Sequence, residues 1–196
     1  MVAALLLGGA MAVVHSAIPT DPSGTISWAI DSSHRNALQV ALGLVPFAGI
    51  FFLWFMGAVR DYFGEAEDKF FATLFLGSGL LFVAMLFVLS SEVTNSLAAA
   101  STDATPVASR LQGVLTLLTS YCTRMAAVFT IATTTIGRSL GIFPRWLVWL
   151  GYLVAVILLF INVGWLVLIF PVWVLALSGY IFLAHPDRQS TRTPIS

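Results

Sequence analysis

Charge is what this sequence has least of. Nine Lys and Arg and nine Asp and Glu make up 9% of its 196 residues and cancel to a net charge of zero, where soluble domains carry roughly a quarter charged residues. There is no basic field to hold nucleic acid and no acidic tail to gather cations, so nucleic acid is excluded as a partner. Cysteine occurs once, at Cys122, which rules out a disulfide within the chain and a thiolate cage for a metal. The three histidines do not converge: His15 and His34 lie toward one side of the expected topology and His185 toward the other, so they hold no zinc between them. The sequence also lacks a phosphate loop, a G-x-S-x-G elbow and an H-E-x-x-H pair. No enzyme, cofactor or metal site is therefore expected.

What the chain has instead is apolar length. Hydrophobic residues make up 59% of it and mean hydropathy is +0.95, more apolar surface than a soluble fold covers. A hydrocarbon core about 30 Å thick needs about 20 helical residues at 1.5 Å each. Residues 2–17, 37–59, 70–90 and 111–137 read as four spans. The first is short and lacks the basic region with which a secretory signal begins, and its upstream flank is expected to be missing. Residues 146–184 contain no charge and as one helix would reach about 58 Å, nearly twice the hydrocarbon. The turn-like Asn162-Val163-Gly164 divides this stretch into spans at 144–161 and 165–184. The expected fold is all-α, a transmembrane helical bundle of six spans, followed by a short tail at 185–196.

Orientation follows from Lys and Arg, which stay on the cytoplasmic side. Arg60 and Lys69, Arg138 and Arg145, and Arg188 and Arg192 fall on one side of the bundle, while the other holds only Arg35 and Arg110. That parity requires six crossings and puts both termini in the cytoplasm. The polar connections 18–36 and 91–109 then face outward, with 23–35 suited to a short interfacial helix. Aromatics agree: Tyr62, Trp146, Trp149, Tyr152 and Tyr180 fall near the inner surface, Trp28 and Trp165 near the outer. Trp54 and Trp173 sit deeper and read as packing residues. Pro46 and Pro171 lie inside spans two and six, where each removes a backbone bond and favours a kink.

One charge falls within a span. Arg124 is fourteen residues from both Arg110 and Arg138, about 21 Å of helix on either side and too far for its side chain to reach water. It is expected to face protein or a wet cavity. Ser120 and Thr116, four and eight residues earlier, place a polar stripe beside it. Thr119, Thr123, Thr130, Thr133, Thr134 and Thr135 occupy other faces, where they can bond their own helix carbonyls. Candidate partners for the guanidinium are Glu92 at the outer end of span three, Tyr121, Asn162, carbonyls freed at Pro46 or Pro171, or a second chain. The acidic loop 61–68 matches no calcium-loop spacing and reads as a solvated turn.

Several runs resemble a group of uncharacterised bacterial polytopic integral membrane proteins: Phe55-x-x-x-Val59-Arg60-Asp61, the stretch G-S-G-L-L-F-V-A-M-L-F from Gly77, R-M-A-A-V-F from Arg124, and Phe143-Pro144-Arg145-Trp146-Leu147-x-Trp149-Leu150-Gly151-Tyr152. The likeness covers about 37–160 and rests on helix ends and packing residues. It implies a multi-pass protein of the bacterial inner membrane and no transferable activity. It also implies a basic segment before the first span, which this sequence does not carry. The expected function is a non-enzymatic component that binds another membrane protein or lipid. Its partners are then the bilayer and a second membrane protein or a homo-oligomer. The alternative is a small transporter or channel with a polar site around Arg124, and a lipid-modifying enzyme ranks third because no nucleophile and base share a depth.

Overall fold

Breakers and caps divide the chain where the apolar runs end. In the computed structural model, which describes residues 2, 4, 5, 8, 9, 32–64, 69–99, 105–160 and 168–184, five helices follow one another and no strand occurs among the described residues. They are α1 (Ser32–Phe63, 32 residues), α2 (Lys69–Ala99, 31), α3 (Thr105–Ser139, 35), α4 (Arg145–Phe160, 16) and α5 (Ile169–Ala184, 16). Residues 2, 4, 5, 8 and 9 are also helical. The stretches Gln39–Phe63 and Lys69–Asn95 are long and apolar enough to cross a membrane, while α4 and α5 are apolar but shorter.

The first three helices are longer than the expected spans. At 1.5 Å per residue, α1 to α3 run about 46 to 52 Å, past any hydrocarbon core, and α4 and α5 about 24 Å. The connections expected at 18–36 and 91–109 are thus helical at 32–36, 91–99 and 105–109. Hydropathy reports where a helix leaves lipid, whereas the helix itself ends where its hydrogen-bond ladder stops. The rest of 18–31, the loop carrying Glu65, Glu67 and Asp68, the turn at Asn162, and the tail from His185 lie outside the described residues.

Helix α3 stops in a Schellman motif. The Ile142 amide donates to the Gly137 carbonyl (3.0 Å) and the Gly141 amide to that of Arg138 (3.1 Å), with Gly141 at φ +65°, a left-handed position that glycine takes without a Cβ penalty. Pro144 follows, and its carbonyl accepts from the Leu147 and Val148 amides to start α4. Gly137 carries no side chain because the Phe143 ring occupies the space a Cβ would need.

Neighbouring helices are antiparallel, and their register is fixed by paired side chains. Phe75 lies 4.9 Å from Phe129 by ring centroid, and the Cys122 sulfur lies 4.0 Å from the Phe82 carbonyl. A seven-residue step along α2 thus matches a seven-residue step along α3. Close approach is bought by small residues: Gly79 meets Met56 of α1, and Gly151 of α4 meets Thr134 of α3. At the centre, Phe52 of α1, Phe82 of α2, Phe129 of α3 and Phe170 of α5 converge with centroid separations of 5.0 to 6.3 Å. All four are buried, in the offset and edge-on geometries aromatic rings prefer. Trp173 is buried beside Phe170, as its depth suggested. Trp54 instead stands on the exterior of α1. An apolar helix without a polar face does not reveal in sequence which side turns inward.

One end of the bundle is tied across four helices. Phe63 at the end of α1 lies 6.1 Å from Phe75 and 5.9 Å from Phe143, and Phe143 meets Tyr180 edge-on at 6.2 Å. The Tyr180 hydroxyl donates to the Ile142 carbonyl at 2.9 Å. Arg60, Lys69, Arg138 and Arg145 are at this same end, all exposed, so four of the six basic positions that sequence assigns to one side share one end, while Arg188 and Arg192 lie outside the described residues. Between α1 and α2 it carries an open groove of about 760 Å³ lined in part by Arg60, Asp61, Lys69 and Thr73.

Candidate functional site

Every described charged side chain except one lies toward a helix end. Arg124 is the exception, and its position follows from the α2–α3 register. With Phe129 beside Phe75 and Cys122 beside Phe82, Arg124 is level with Leu80, ten residues from both Phe70 and Ser90. It therefore stands level with the middle of the apolar stretch of α2. Its side chain is exposed, turned away from the core of its own bundle, so protein or water facing it has to come from outside the described helices. The reason is helical phase. Cys122, Ala126 and Phe129 face α2 and the core, and Thr134 faces Gly151 of α4, which leaves the face between α2 and α4 open.

The same register separates Arg124 from its only acidic candidate. Glu92 is twelve residues beyond Leu80 and level with Gln112, about 18 Å along the axis from Arg124. A tilt of α2 does not close that distance, because the two helices are locked by ring and small-residue contacts below it. Among the described residues none forms an ion pair or hydrogen bond with Arg124.

The remaining candidates divide by face. Thr116 and Tyr121 are exposed and Ser120 is buried beside them, so a short polar edge does run from Arg124 toward the outer end. Thr123, Thr130 and Thr133 donate to carbonyls three or four residues back in their own helix, at 2.7 to 3.1 Å, and so are spent within α3. Thr135 instead meets the Tyr152 hydroxyl of α4 at 3.1 Å, a cross-helix contact the sequence did not reveal. Its signal was Tyr152 standing on the α3-facing side one residue after Gly151. The Thr134 hydroxyl is buried without a hydrogen-bond partner, pressed against Gly151.

The two prolines behave differently. α1 is continuous through Pro46, which is exposed. Pro171 is buried and is the third residue of α5, in the first turn, where a missing N–H leaves no helix bond unmade. It starts this helix rather than bending it. Its Cβ is 3.3 Å from where a Cβ on Gly8 would stand, so the N-terminal helical residues lie against α5. Asn162 is outside the described residues.

An arginine turned outward at mid-depth costs about 2.5 to 3.5 kcal/mol on insertion scales if lipid surrounds it. Its five donors bind a carboxylate or phosphate in a fixed fork, so the arrangement can recognise an acceptor brought to that face. The sequence matches no protein-family model, no curated protein and no solved structure.

Proposed function

We propose that the protein is a six-span component of the bacterial inner membrane, with both termini in the cytoplasm, that works without catalysis by binding another membrane protein or lipid. The observation that carries this reading is the outward-facing Arg124 at the middle of the apolar band, a charge whose acceptor has to come from beyond the described helices. Membrane residence is supported by exposed apolar surface. Trp54, Phe70, Leu80, Leu81, Val172 and Phe182 all face outward, and only 39% and 33% of the most apolar windows of α1 and α2 are buried, whereas a soluble core helix of this hydropathy would be mostly covered. The cytoplasmic assignment rests on Arg60, Lys69, Arg138 and Arg145 sharing one end.

The transporter reading needs a wet route to Arg124 through the bundle. Phe52, Phe82, Phe129 and Phe170 fill the centre at that depth, which favours the binding reading.

Labelling decides the topology. With Cys122→Ser as background, a single cysteine is placed at Asn95 or at Ser139, both exposed and at opposite ends. A membrane-impermeant maleimide should label Asn95→Cys in sealed cells and Ser139→Cys only after permeabilisation. The opposite pattern would reverse the orientation, and equal labelling of both in sealed cells would rule out a membrane between them.

A further inference from the structure

The exposed face of α3 has a repeat. Val114, Leu117, Tyr121, Arg124, Val128, Ile131, Thr135 and Arg138 follow steps of three and four residues, the 3.5-residue spacing with which one helix lays a seam against another. The inner part of this seam is already in use: Val128, Ile131 and Thr135 are half-buried, and Thr135 meets Tyr152 of α4. From Arg124 outward, Leu117, Tyr121 and Val114 are exposed. The change comes about level with Phe160, after which 161–167 lie outside the described residues. Gly151 packs against Thr134 and Tyr152 reaches Thr135, so in this antiparallel pair Phe160, the last described residue of α4, falls opposite about residues 125–127 of α3. The seam continues past the described part of α4 with its side chains exposed.

We propose that Val114, Leu117, Tyr121 and Arg124 form the docking face for a membrane helix of a different protein, one that carries an Asp or Glu at mid-depth opposite Arg124. This deepens the binding function proposed above and rests on it. Charge selects the occupant. The nine acidic residues of this chain are Asp21, Asp31, Asp61, Glu65, Glu67, Asp68, Glu92, Asp103 and Asp187, and none falls in the middle of an apolar stretch. A second copy therefore brings no carboxylate to the depth of Arg124. A lipid phosphate sits at the headgroup level, about half the hydrocarbon thickness away. A carboxylate on a foreign helix meets the guanidinium at its own depth, while Leu117 and Val114 supply apolar contact and Tyr121 a flat ring on the same seam.

The test uses the full chain in native membranes, with the photocrosslinker p-benzoylphenylalanine at Leu117 or Tyr121 and, as controls on the α1 and α2 exteriors, at Trp54 or Leu80. Crosslinked peptides are sequenced. The expected result is an adduct from Leu117 and Tyr121 to a transmembrane segment of another protein, with an Asp or Glu within one helical turn of the adduct. Its yield should fall about tenfold in Arg124→Leu and recover when Arg124→Glu is paired with a Lys in place of that acid. Adducts joining two copies of this chain, or to lipid alone, overturn the proposal while leaving a homo-oligomeric or lipid-binding component standing. Protein adducts from Trp54 or Leu80 but not from Leu117 or Tyr121 also overturn it, and leave protein binding through another face. No adduct from any of the four sites overturns both this proposal and the reading it rests on.

Discussion

The inner and outer stretches of α3 share one helix and one seam but are built for different ends. On the inner side a Schellman turn, the Phe143 ring over Gly137, the Tyr180 bond to Ile142 and the Thr135–Tyr152 contact tie α3 to α4 and α5. On the outer side the same helix runs on beyond Phe160 with Leu117, Tyr121 and Arg124 uncovered. The difference teaches that a helix face left open is informative when its neighbour covers the rest of the same face. The contacts at the basic end include a side-chain hydrogen bond, Thr135 to Tyr152, and the proposed docking of a second helix extends that seam to the uncovered charge.

The comparison breaks most severely if the centre proves dispensable. Phe129, buried against Phe52, Phe75 and Phe170, should cost about 3 kcal/mol or more as Phe129→Ala, because the rings around it cannot close the cavity. Thermal unfolding in detergent micelles measures this, and a loss no larger than that of an exterior substitution would mean the rings do not hold the bundle.

A smaller effect sharpens the comparison at the α3–α4 contact. Gly151→Leu forces a side chain into the space of Thr134 and should destabilise by about 1 to 3 kcal/mol. Gly57→Ala, where no atom lies within 4 Å of the new methyl, should be neutral or add a few tenths of a kcal/mol, roughly the helix-propensity difference. Equal midpoints for the two variants would show that α4 does not press on α3 as described.

The smallest expected change is at the outer face. Leu117→Ala in the isolated protein should move stability by less than about 0.5 kcal/mol, since nothing in the described chain packs over it. A loss on the scale of Gly151→Leu would mean that this chain covers Leu117 itself, and the contrast between the two stretches would disappear.

Much of this architecture was legible beforehand. Each of the five apolar stretches from 37 to 184 lies within or largely within one helix, and the Gly141 and Pro144 region between Arg138 and Arg145 separates α3 from α4. Tyr152 and Tyr180 sit at the basic end where interfacial aromatics belong. Helix ends were placed short because polar residues such as Asn95 and Gln112 continue a helix into water. The site is legible in part: sequence puts Arg124 midway along an apolar run with Ser120 and Thr116 near it, but it does not separate Glu92 from Arg124 or show that Pro171 starts a helix rather than kinking one.

By itself the sequence determined composition, the lengths of the apolar runs, the basic residues that flank them and the place of Arg124 midway between Arg110 and Arg138, because each depends only on residues close together along the chain. Only the tertiary structure decided that Arg124 faces outward, that Glu92 is about 18 Å away along the helix axis, and that the seam of α3 is half-buried beside α4 and exposed from Arg124 to Val114. Rotation and register are properties of a pair of helices, set by Phe75 against Phe129 and Gly151 against Thr134, and a single apolar helix carries no mark of which neighbour will fix them.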